Sequence, residues 1–275
     1  MIPASGEYYI RKYGMAEGVS RMVKHGILHI DLDLTDTENE YYSARDDEFL
    51  LKLLDLKRKI SDGGASVCLV RGPVRALGND AERAESFEKM TKAMVMARHL
   101  GARYMTLPAL APKDGMTGEE ATSKNLEYFS ALASVAGGLG VTVCLENTED
   151  KSNPLASPVA LLSLIEEINH PSLALSLDTA KAISLGIDPS EAITILGKRL
   201  LVIHGADSDG FQGSRLPLFS GGVDWMQVAE AIFESASPAV FSVTVDPIPK
   251  TEEPTEADTD LLEQTAASYA KLICP

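Results

Sequence analysis

The sequence predicts one (β/α)8 barrel, the TIM-barrel class of α/β fold, over residues 1–275. The first observation is length, because about 250 residues commonly form one such barrel and this chain has 275. The second is that short apolar or β-branched runs alternate with helix-length amphipathic segments, as in parallel strands joined by helical crossovers. An open doubly wound sheet shows the same alternation. The glycine-rich turn of its dinucleotide-binding version is missing after the early strands, so the barrel is preferred.

Seven strands are predicted from apolar runs bounded by turns or polar residues. They cover residues 27–34, 65–70, 102–107, 141–146, 173–178, 200–204 and 239–246. An eighth, weaker strand is predicted within residues 2–10, ahead of a helix at residues 15–25. A segment rich in proline, threonine and acids at residues 247–260 predicts an exposed loop before a final helix at 258–273.

Helices between the strands are indicated by apolar periodicity and by capping patterns. Apolar side chains recur at helical spacing across residues 81–100, which predicts a stripe that packs on the barrel. Thr117 and Glu120 have the spacing of a capping box, and Ser157 stands before a first-turn proline. Asp188 combines an N-cap with a following proline, so three helix starts are predicted.

Composition and charge favour some classes of protein and disfavour others. Hydrophobic residues make up 45% of the chain and charged residues 24%, enough for a large core and a polar surface. The net charge of -15 would repel a phosphate backbone, so we expect no nucleic-acid partner. With no signal-peptide pattern and no run of about 18 apolar residues, we expect a cytoplasmic protein without a membrane partner. Cys68, Cys144 and Cys274 lack paired spacing, which favours buried thiols over disulfides or a zinc knuckle.

Polar residues end four successive predicted strands. Glu146 and Asn147 follow one strand, Asp178 the next, and His204 and Asp246 the last two. The carboxyl ends of barrel strands converge on one rim, so we expect these side chains to share a centre. Each alone has a structural explanation, since acids and asparagines often end strands or cap helices. Three converging carboxylates would repel one another, and a divalent cation would offset that repulsion, so the cluster predicts a metal site.

The strand-end motifs resemble those of the xylose-isomerase-like superfamily of sugar isomerases and epimerases. They are Val-Cys-Leu-Glu146-Asn147, Leu-Ser-Leu-Asp178-Thr179, Val-Ile-His204-Gly-Ala-Asp207 and the run from Ser220 to Trp225. The resemblance extends from Ile27 onward and depends on the order and spacing of the motifs. It implies a divalent metal, Mn, Mg, Co or Zn, whose ligands are Glu146, Asp178, His204 and Asp246.

The resemblance also implies a reaction, the isomerisation or epimerisation of a small sugar, polyol or keto-acid derivative through an enediolate. Glu146 and Asp246 would be catalytic, transferring protons on opposite faces of the substrate, while the metal stabilises the developing charge. A lyase or dehydratase of the same family would share the enediolate. The expected partner is therefore a small-molecule sugar or polyol, and the sequence leaves homo-oligomerisation open.

Four residues are candidates for substrate binding. Lys181 and Arg215 would orient the substrate or stabilise its oxyanion, because their charged donors suit hydroxyl, carboxylate or phosphate oxygens. Asn147 follows Glu146 at the strand end, and Asp33 is the better placed of two alternating acids on an early strand. Lys181 also has a purely structural interpretation, as a helix-start lysine paired with an acid.

Two positions depart from the family pattern. The last acid is Asp246 instead of a glutamate, and Lys181 stands where the family often has a histidine. A protonated lysine is a poor metal ligand. Both departures favour an alternative function, a non-catalytic barrel that binds a sugar-like ligand or a partner. Arg71 stands where the endonuclease branch of the superfamily uses a histidine, which argues against DNA repair.

Overall fold

A closed barrel of eight parallel strands forms the centre of the molecule. The computed structural model describes residues 3–73 and 79–243. The strands are β1 (Ala4–Ser5), β2 (His29–Asp33), β3 (Ser66–Arg71), β4 (Tyr104–Pro108), β5 (Thr142–Glu146), β6 (Leu173–Asp178), β7 (Leu200–Gly205) and β8 (Val240–Val243). They pair in chain order, and Ala4 of β1 pairs with Val243 of β8 to close the ring. The predicted (β/α)8 barrel is confirmed.

Helices follow the strands around the barrel. They are α1 (Glu7–Tyr13), α2 (Met15–Lys24), α3 (Glu40–Ser43), α4 (Asp46–Asp62), α5 (Asp80–Leu100), α6 (Gly118–Leu139), α7 (Pro158–Ile168), α8 (Thr179–Leu185), α9 (Pro189–Leu196) and α10 (Trp225–Glu234). The three predicted starts are confirmed, with Thr117 and Glu120 in a capping box and Ser157 and Asp188 as N-caps. Among the described helices, none combines the length and apolar character needed to cross a bilayer.

The amino-terminal segment differs from its prediction. The strand expected within residues 2–10 is limited to β1, and α1 begins at Glu7. Gly6 lies between them and donates its N–H to the carbonyl of Asp31 in β2 at 2.8 Å. The apolar run that suggested a strand instead supplies the buried helix residues Tyr9 and Ile10. Glu7 in the first turn suits the helix dipole.

Several predicted features lie outside the described residues. These are the loop at 247–260, the helix at 258–273, Cys274, and the end of the last predicted strand with Asp246. Of the other two cysteines, Cys144 is buried as predicted, whereas Cys68 is only half-buried.

An apolar layer inside the barrel supports the polar residues at its mouth. Leu69, Cys144, Ala174 and Val202 form a small cluster separate from the main core. Side chains two positions apart on a strand lie on the same face. Arg71 therefore follows Leu69, Glu146 follows Cys144, and His204 follows Val202, each one layer closer to the carboxyl end. The main core lies between the barrel and its helices, where Met90 and Met94 of α5 are fully buried.

Candidate active site at the carboxyl ends of the strands

Glu146, the last residue of β5, lies at the bottom of the barrel mouth and is 4% exposed. Its Oε1 accepts a hydrogen bond from Nζ of Lys181 at 2.6 Å. Its Oε2 contacts Nδ1 of His204 and accepts a hydrogen bond from Oγ of Ser176 at 3.2 Å. Burial alone would raise the pKa of Glu146, but Lys181 and His204 together lower it well below its ordinary value. Glu146 is therefore ionised at neutral pH.

His204 on β7 lies between two carboxylates. Its Nδ1 contacts Glu146, and its Nε2 is 3.2 Å from Oδ2 of Asp31 on β2. Burial and the neighbouring Arg71 would lower the pKa of His204, but the two carboxylates raise it. This position favours the doubly protonated imidazolium, which has no lone pair to offer a metal.

Asp31 and Arg71 extend the charged cluster to β2 and β3. Oδ2 of Asp31 accepts a hydrogen bond from Oγ of Ser242 at 2.9 Å and is 3.6 Å from Nε of Arg71. Burial would raise the pKa of Asp31, but His204 and Arg71 lower it. Nη1 of Arg71 is 3.3 Å from Oε2 of Glu7 on α1.

Asp178 connects the end of β6 to α8 and to the loop after β7. Its Oδ1 caps α8 by accepting the backbone N–H of Lys181 at 3.1 Å. Its Oδ2 is 2.7 Å from Nη2 of Arg215 and 3.5 Å from Nζ of Lys181. Burial would raise the pKa of Asp178, but these two cations lower it. Nη1 of Arg215 lies 3.6 Å from Oε2 of Glu7.

These contacts close into one circuit, which we call the charge ring. Its members in order are Glu146, His204, Asp31, Arg71, Glu7, Arg215, Asp178 and Lys181, and the last contacts the first. Anionic and cationic side chains alternate around it. With His204 protonated, the ring carries four negative and four positive charges. The structure brings together five residues that the sequence predicted as site residues, Glu146, Asp178, His204, Lys181 and Arg215.

The ring is open to solvent on one side. The side chains of Lys181 and Arg215 are each 22% exposed and that of Glu7 is 20% exposed, whereas His204 and Asp31 are almost fully buried. Nε and Nη2 of Arg71 and Nη1 of Arg215 have no hydrogen-bond acceptor among the described residues. Unpaired guanidinium N–H groups suit an oxyanion or a hydroxyl oxygen. All three nitrogens are buried, and Nε of Arg71 and Nη1 of Arg215 also lie 3.6 Å from carboxylates of the ring. A ligand would therefore first meet the ring at the partly exposed side chains of Lys181 and Arg215.

The other predicted substrate contacts have different surroundings. The amide of Asn147 is fully buried and bonds to the backbone of Asp178 through both its nitrogen and its oxygen. Asp33 is buried at the end of β2, where its Oδ1 accepts the backbone N–H of Thr35 at 2.9 Å. Burial raises the pKa of Asp33. Neither side chain belongs to the charge ring.

Asp207 organises the loop that carries Arg215. Its carboxylate accepts N–H groups from Ser220 and Val223 and the indole N–H of Trp225, at 3.2, 3.0 and 2.9 Å. A Cβ at Gly221 would lie 2.4 Å from Oδ1 of Asp207, so only glycine fits there without a shift. We call these hydrogen bonds to the Asp207 carboxylate the Asp207 cradle. Its members belong to the sequence motifs noted above, the one that ends at Asp207 and the run from Ser220 to Trp225.

Sequence reasoning missed Glu7 as a site residue and gave Arg71 no binding role. Glu7 was hidden because its segment was predicted as a strand, whereas as the first residue of α1 it reaches the mouth. Arg71 had a usable signal, since it is a charged residue that ends an apolar strand in the same way as His204.

The described donors do not fit a divalent metal. Within residues 3–73 and 79–243, no group of three or more His, Cys, Asp or Glu side chains is arranged to hold an ion. Glu146 and Asp178 face Lys181 and Arg215, and both ring nitrogens of His204 face carboxylates. The predicted fourth ligand, Asp246, lies outside the described residues.

Fold and site together define a TIM barrel with a buried charged centre at the carboxyl ends of its strands, where enzymes of this fold place their chemistry. The chain belongs to the family of xylose isomerase-like TIM barrels, whose family model matches residues 19–265. The predicted resemblance is therefore confirmed.

Solved structures with the same fold include several sugar epimerases. A D-tagatose 3-epimerase-like protein superposes with a TM-score of 0.76 at 16% identity, over 99% of this chain and 97% of that one. An L-ribulose 3-epimerase gives 0.72 at 17% identity, over 100% and 98%. An IOLI protein with a bound zinc atom gives 0.73 at 18% identity, over 92% and 89%. Identities this low show the shared fold alone.

A curated relative matches part of the chain. An uncharacterised protein, MJ1311 of Methanocaldococcus jannaschii, is 24% identical over 128 residues, which are 45% of this chain. The match spans 43% of that protein's length.

Proposed function

We propose that this protein is an isomerase or epimerase that acts on a small sugar, polyol or keto-acid derivative by proton transfer through an enediolate. The carrying observation is Glu146, a buried ionised carboxylate 2.6 Å from the Lys181 ammonium in a mouth that also holds the guanidinium groups of Arg71 and Arg215. A carboxylate beside cationic donors suits removal of a proton from a carbon next to a carbonyl. The sugar-epimerase neighbours of the same fold support this class by analogy.

The reaction begins when substrate oxygens bind the cationic side chains of Lys181, Arg71 and Arg215. Glu146 then takes the proton from the carbon next to the carbonyl. The C–H electron pair forms the carbon–carbon double bond, and the carbonyl π electrons move to oxygen, where the cationic donors stabilise the enediolate. Return of the proton to the former carbonyl carbon gives the isomer, as the neighbouring hydroxyl passes its proton to the former carbonyl oxygen and itself becomes the new carbonyl. Delivery of a proton to the original carbon from the opposite face, by a second acid, restores the carbonyl and gives the epimer.

Substrate binding also prepares Glu146 to act as a base. A substrate oxygen that accepts from Lys181 weakens the contact of the ammonium with Glu146. Lys181 is a main cause of the low pKa of Glu146, so this pKa rises towards the range of an effective general base.

The other predicted residues keep proposed roles. Asp246 is proposed as the acid on the opposite face of the substrate, and Asp33 as a contact to a substrate hydroxyl. Asn147 is proposed to act indirectly, because its amide positions Asp178 and thereby Lys181 and Arg215. Metal dependence is not part of this proposal, and no step passes through a metal.

The test is deuterium exchange measured by proton NMR in D2O. D-fructose, D-tagatose, D-psicose, L-ribulose and hydroxypyruvate are incubated in turn with wild-type protein, Glu146→Gln and the surface control Glu166→Gln. For wild type and control, we expect loss of a carbon-bound proton signal with at least one compound. For Glu146→Gln, the exchange rate should be lower by a factor of roughly 100 or more. Exchange that survives in Glu146→Gln would refute the role of Glu146.

A non-catalytic barrel that binds a sugar-like ligand is the second candidate. The observation that favours it is the closed charge ring, in which Glu146 and His204 are both engaged within the protein. Calorimetry on the same compounds separates the two functions. Binding that is weakened by Arg71→Gln but accompanied by no exchange would identify a binding protein.

A further inference from the structure

We propose that the Lys181 ammonium occupies the place of a divalent metal ion in this barrel and excludes one. The inference goes beyond the proposed function, because metal content is a property of the folded protein whether or not a substrate is turned over. Glu146 and Asp178, two of the predicted metal ligands, are instead neutralised by cationic side chains of the chain itself.

The Lys181 ammonium lies between two of the predicted ligand carboxylates. Nζ of Lys181 lies 2.6 Å from Oε1 of Glu146 and 3.5 Å from Oδ2 of Asp178. A metal ion that bridged these carboxylates would sit about 2.0–2.2 Å from each oxygen, and so in the space that Nζ fills. Lys181 is held there because Asp178 caps the helix on which Lys181 stands.

The other predicted ligand atoms of Glu146, Asp178 and His204 face side chains or backbone of the protein. Oε2 of Glu146 contacts Nδ1 of His204, whose Nε2 is 3.2 Å from Asp31. Oδ2 of Asp178 is 2.7 Å from Arg215, and its Oδ1 caps α8. A metal would have to displace a protein partner at each of these carboxylate oxygens and at Nδ1 of His204. Among the described residues, Nε2 of His204 forms no hydrogen bond and lies only against Asp31.

Cationic side chains of the ring offset the charge of its carboxylates. Glu146 and Asp178, two of the three carboxylates predicted to need a metal, lie in a ring that also holds Arg71, Arg215, Lys181 and His204. Lys181, Arg71 and Arg215 already place three fixed positive charges beside these carboxylates. Two further positive charges from a divalent ion would have to be accommodated next to them in a desolvated site, which is costly. Removal of the Lys181 charge would reverse this, leaving Glu146 short of a cation.

The experiment measures retained metal. Wild-type protein, Lys181→Gln, Lys181→Arg and the surface control Lys113→Gln are each incubated with excess Mn²⁺, Co²⁺ or Zn²⁺, desalted, and analysed by elemental mass spectrometry. Lys113 is a matched control because it pairs with Glu82 at 3.6 Å on the surface. Circular dichroism establishes that each variant is folded, and Lys181→Met, which also removes the charge and adds no nitrogen or oxygen ligand, replaces Lys181→Gln if the latter is not.

We expect far less than stoichiometric metal in wild type, Lys181→Arg and Lys113→Gln. Lys181→Gln should approach one ion per chain, and the double variant Lys181→Gln with Glu146→Gln should lose it. Near-stoichiometric metal in wild type that Glu146→Gln removes would overturn the proposal. A folded Lys181→Gln that still retains none would overturn the role of Lys181. Neither result depends on turnover, so failure here is distinct from failure of the exchange test.

Discussion

The side-chain amide of Asn147 forms two hydrogen bonds with the backbone of Asp178. Nδ2 donates to the carbonyl at 3.0 Å, and Oδ1 accepts the N–H at 2.8 Å. Asn147 directly follows Glu146, so this clamp fixes the ends of β5 and β6 to each other. Two ring members that are far apart in the chain are thereby held in register.

We predict that Asn147→Ala destabilises the protein and disturbs the site. It leaves the buried N–H of Asp178 without its acceptor and removes one of the donors to the Asp178 carbonyl, which should cost about 1–3 kcal/mol of unfolding free energy. Urea denaturation measures this loss. Asn39→Ala is the control, because it removes the N-cap of the short α3 and should cost only about 1 kcal/mol. Equal losses would show that the clamp contributes no more than a surface cap.

Acid should weaken the fold through the ring carboxylates. Because its folded-state pKa lies below the ordinary value of 4.5, Glu146 stabilises the protein above pH 4.5, and this contribution is lost as the pH falls through the lowered pKa. Glu146→Gln lacks it at every pH. The difference in unfolding free energy between wild type and this variant should therefore shrink towards low pH, as urea denaturation at pH 3 to 7 would measure. A constant difference would refute this pKa assignment.

The loop that carries Arg215 should loosen in Asp207→Ala. The change removes the acceptor of the Trp225 indole and of two backbone N–H groups, at a cost of about 2–4 kcal/mol. Trp225 is the only tryptophan of the chain, so fluorescence emission reports this loop directly. In the folded variant we expect the emission maximum of Trp225 to shift to longer wavelength. An unchanged emission spectrum would show that Asp207 does not hold Trp225 in its buried position.

Two glycine substitutions should have opposite effects. Gly221→Ala would place Cβ 2.4 Å from Oδ1 of Asp207 and 2.5 Å from the carbonyl of Ser208, and should lower the melting temperature. Gly138→Ala lies within α6, where a Cβ would meet nothing within 4 Å, and should stabilise by about 0.5–1 kcal/mol. A melting temperature for Gly221→Ala at or above the wild-type value would show that the loop adjusts freely.

The barrel was predictable because its signals are local. Apolar runs, capping residues and the alternation of strands with helices appear directly in the sequence, and strand ends such as Glu146, Asp178 and His204 converge by topology alone. The amino-terminal strand was misjudged because Tyr8, Tyr9 and Ile10 satisfy both strand and helix patterns when only one turn is visible.

The pairing of charges was not predictable, because it depends on distances across the barrel. The sequence shows three acids that need compensation but does not show what compensates them. A metal and a set of cationic side chains satisfy that need equally until Lys181, Arg71 and Arg215 are placed in space. Glu7, which contacts both arginines, was invisible for the same reason.

A closed circuit of alternating charges has a consequence for how this mouth tolerates sequence change. Replacing any one charged side chain of the ring with a neutral one leaves one buried charge without a partner. Replacing two adjacent side chains of opposite charge leaves the remaining six neutral as a group. Substitutions that accumulate at these positions should therefore occur in adjacent pairs of opposite charge. A designer who wishes to alter the specificity of this barrel would exchange neighbours together, such as Arg215 with Asp178, rather than one residue at a time.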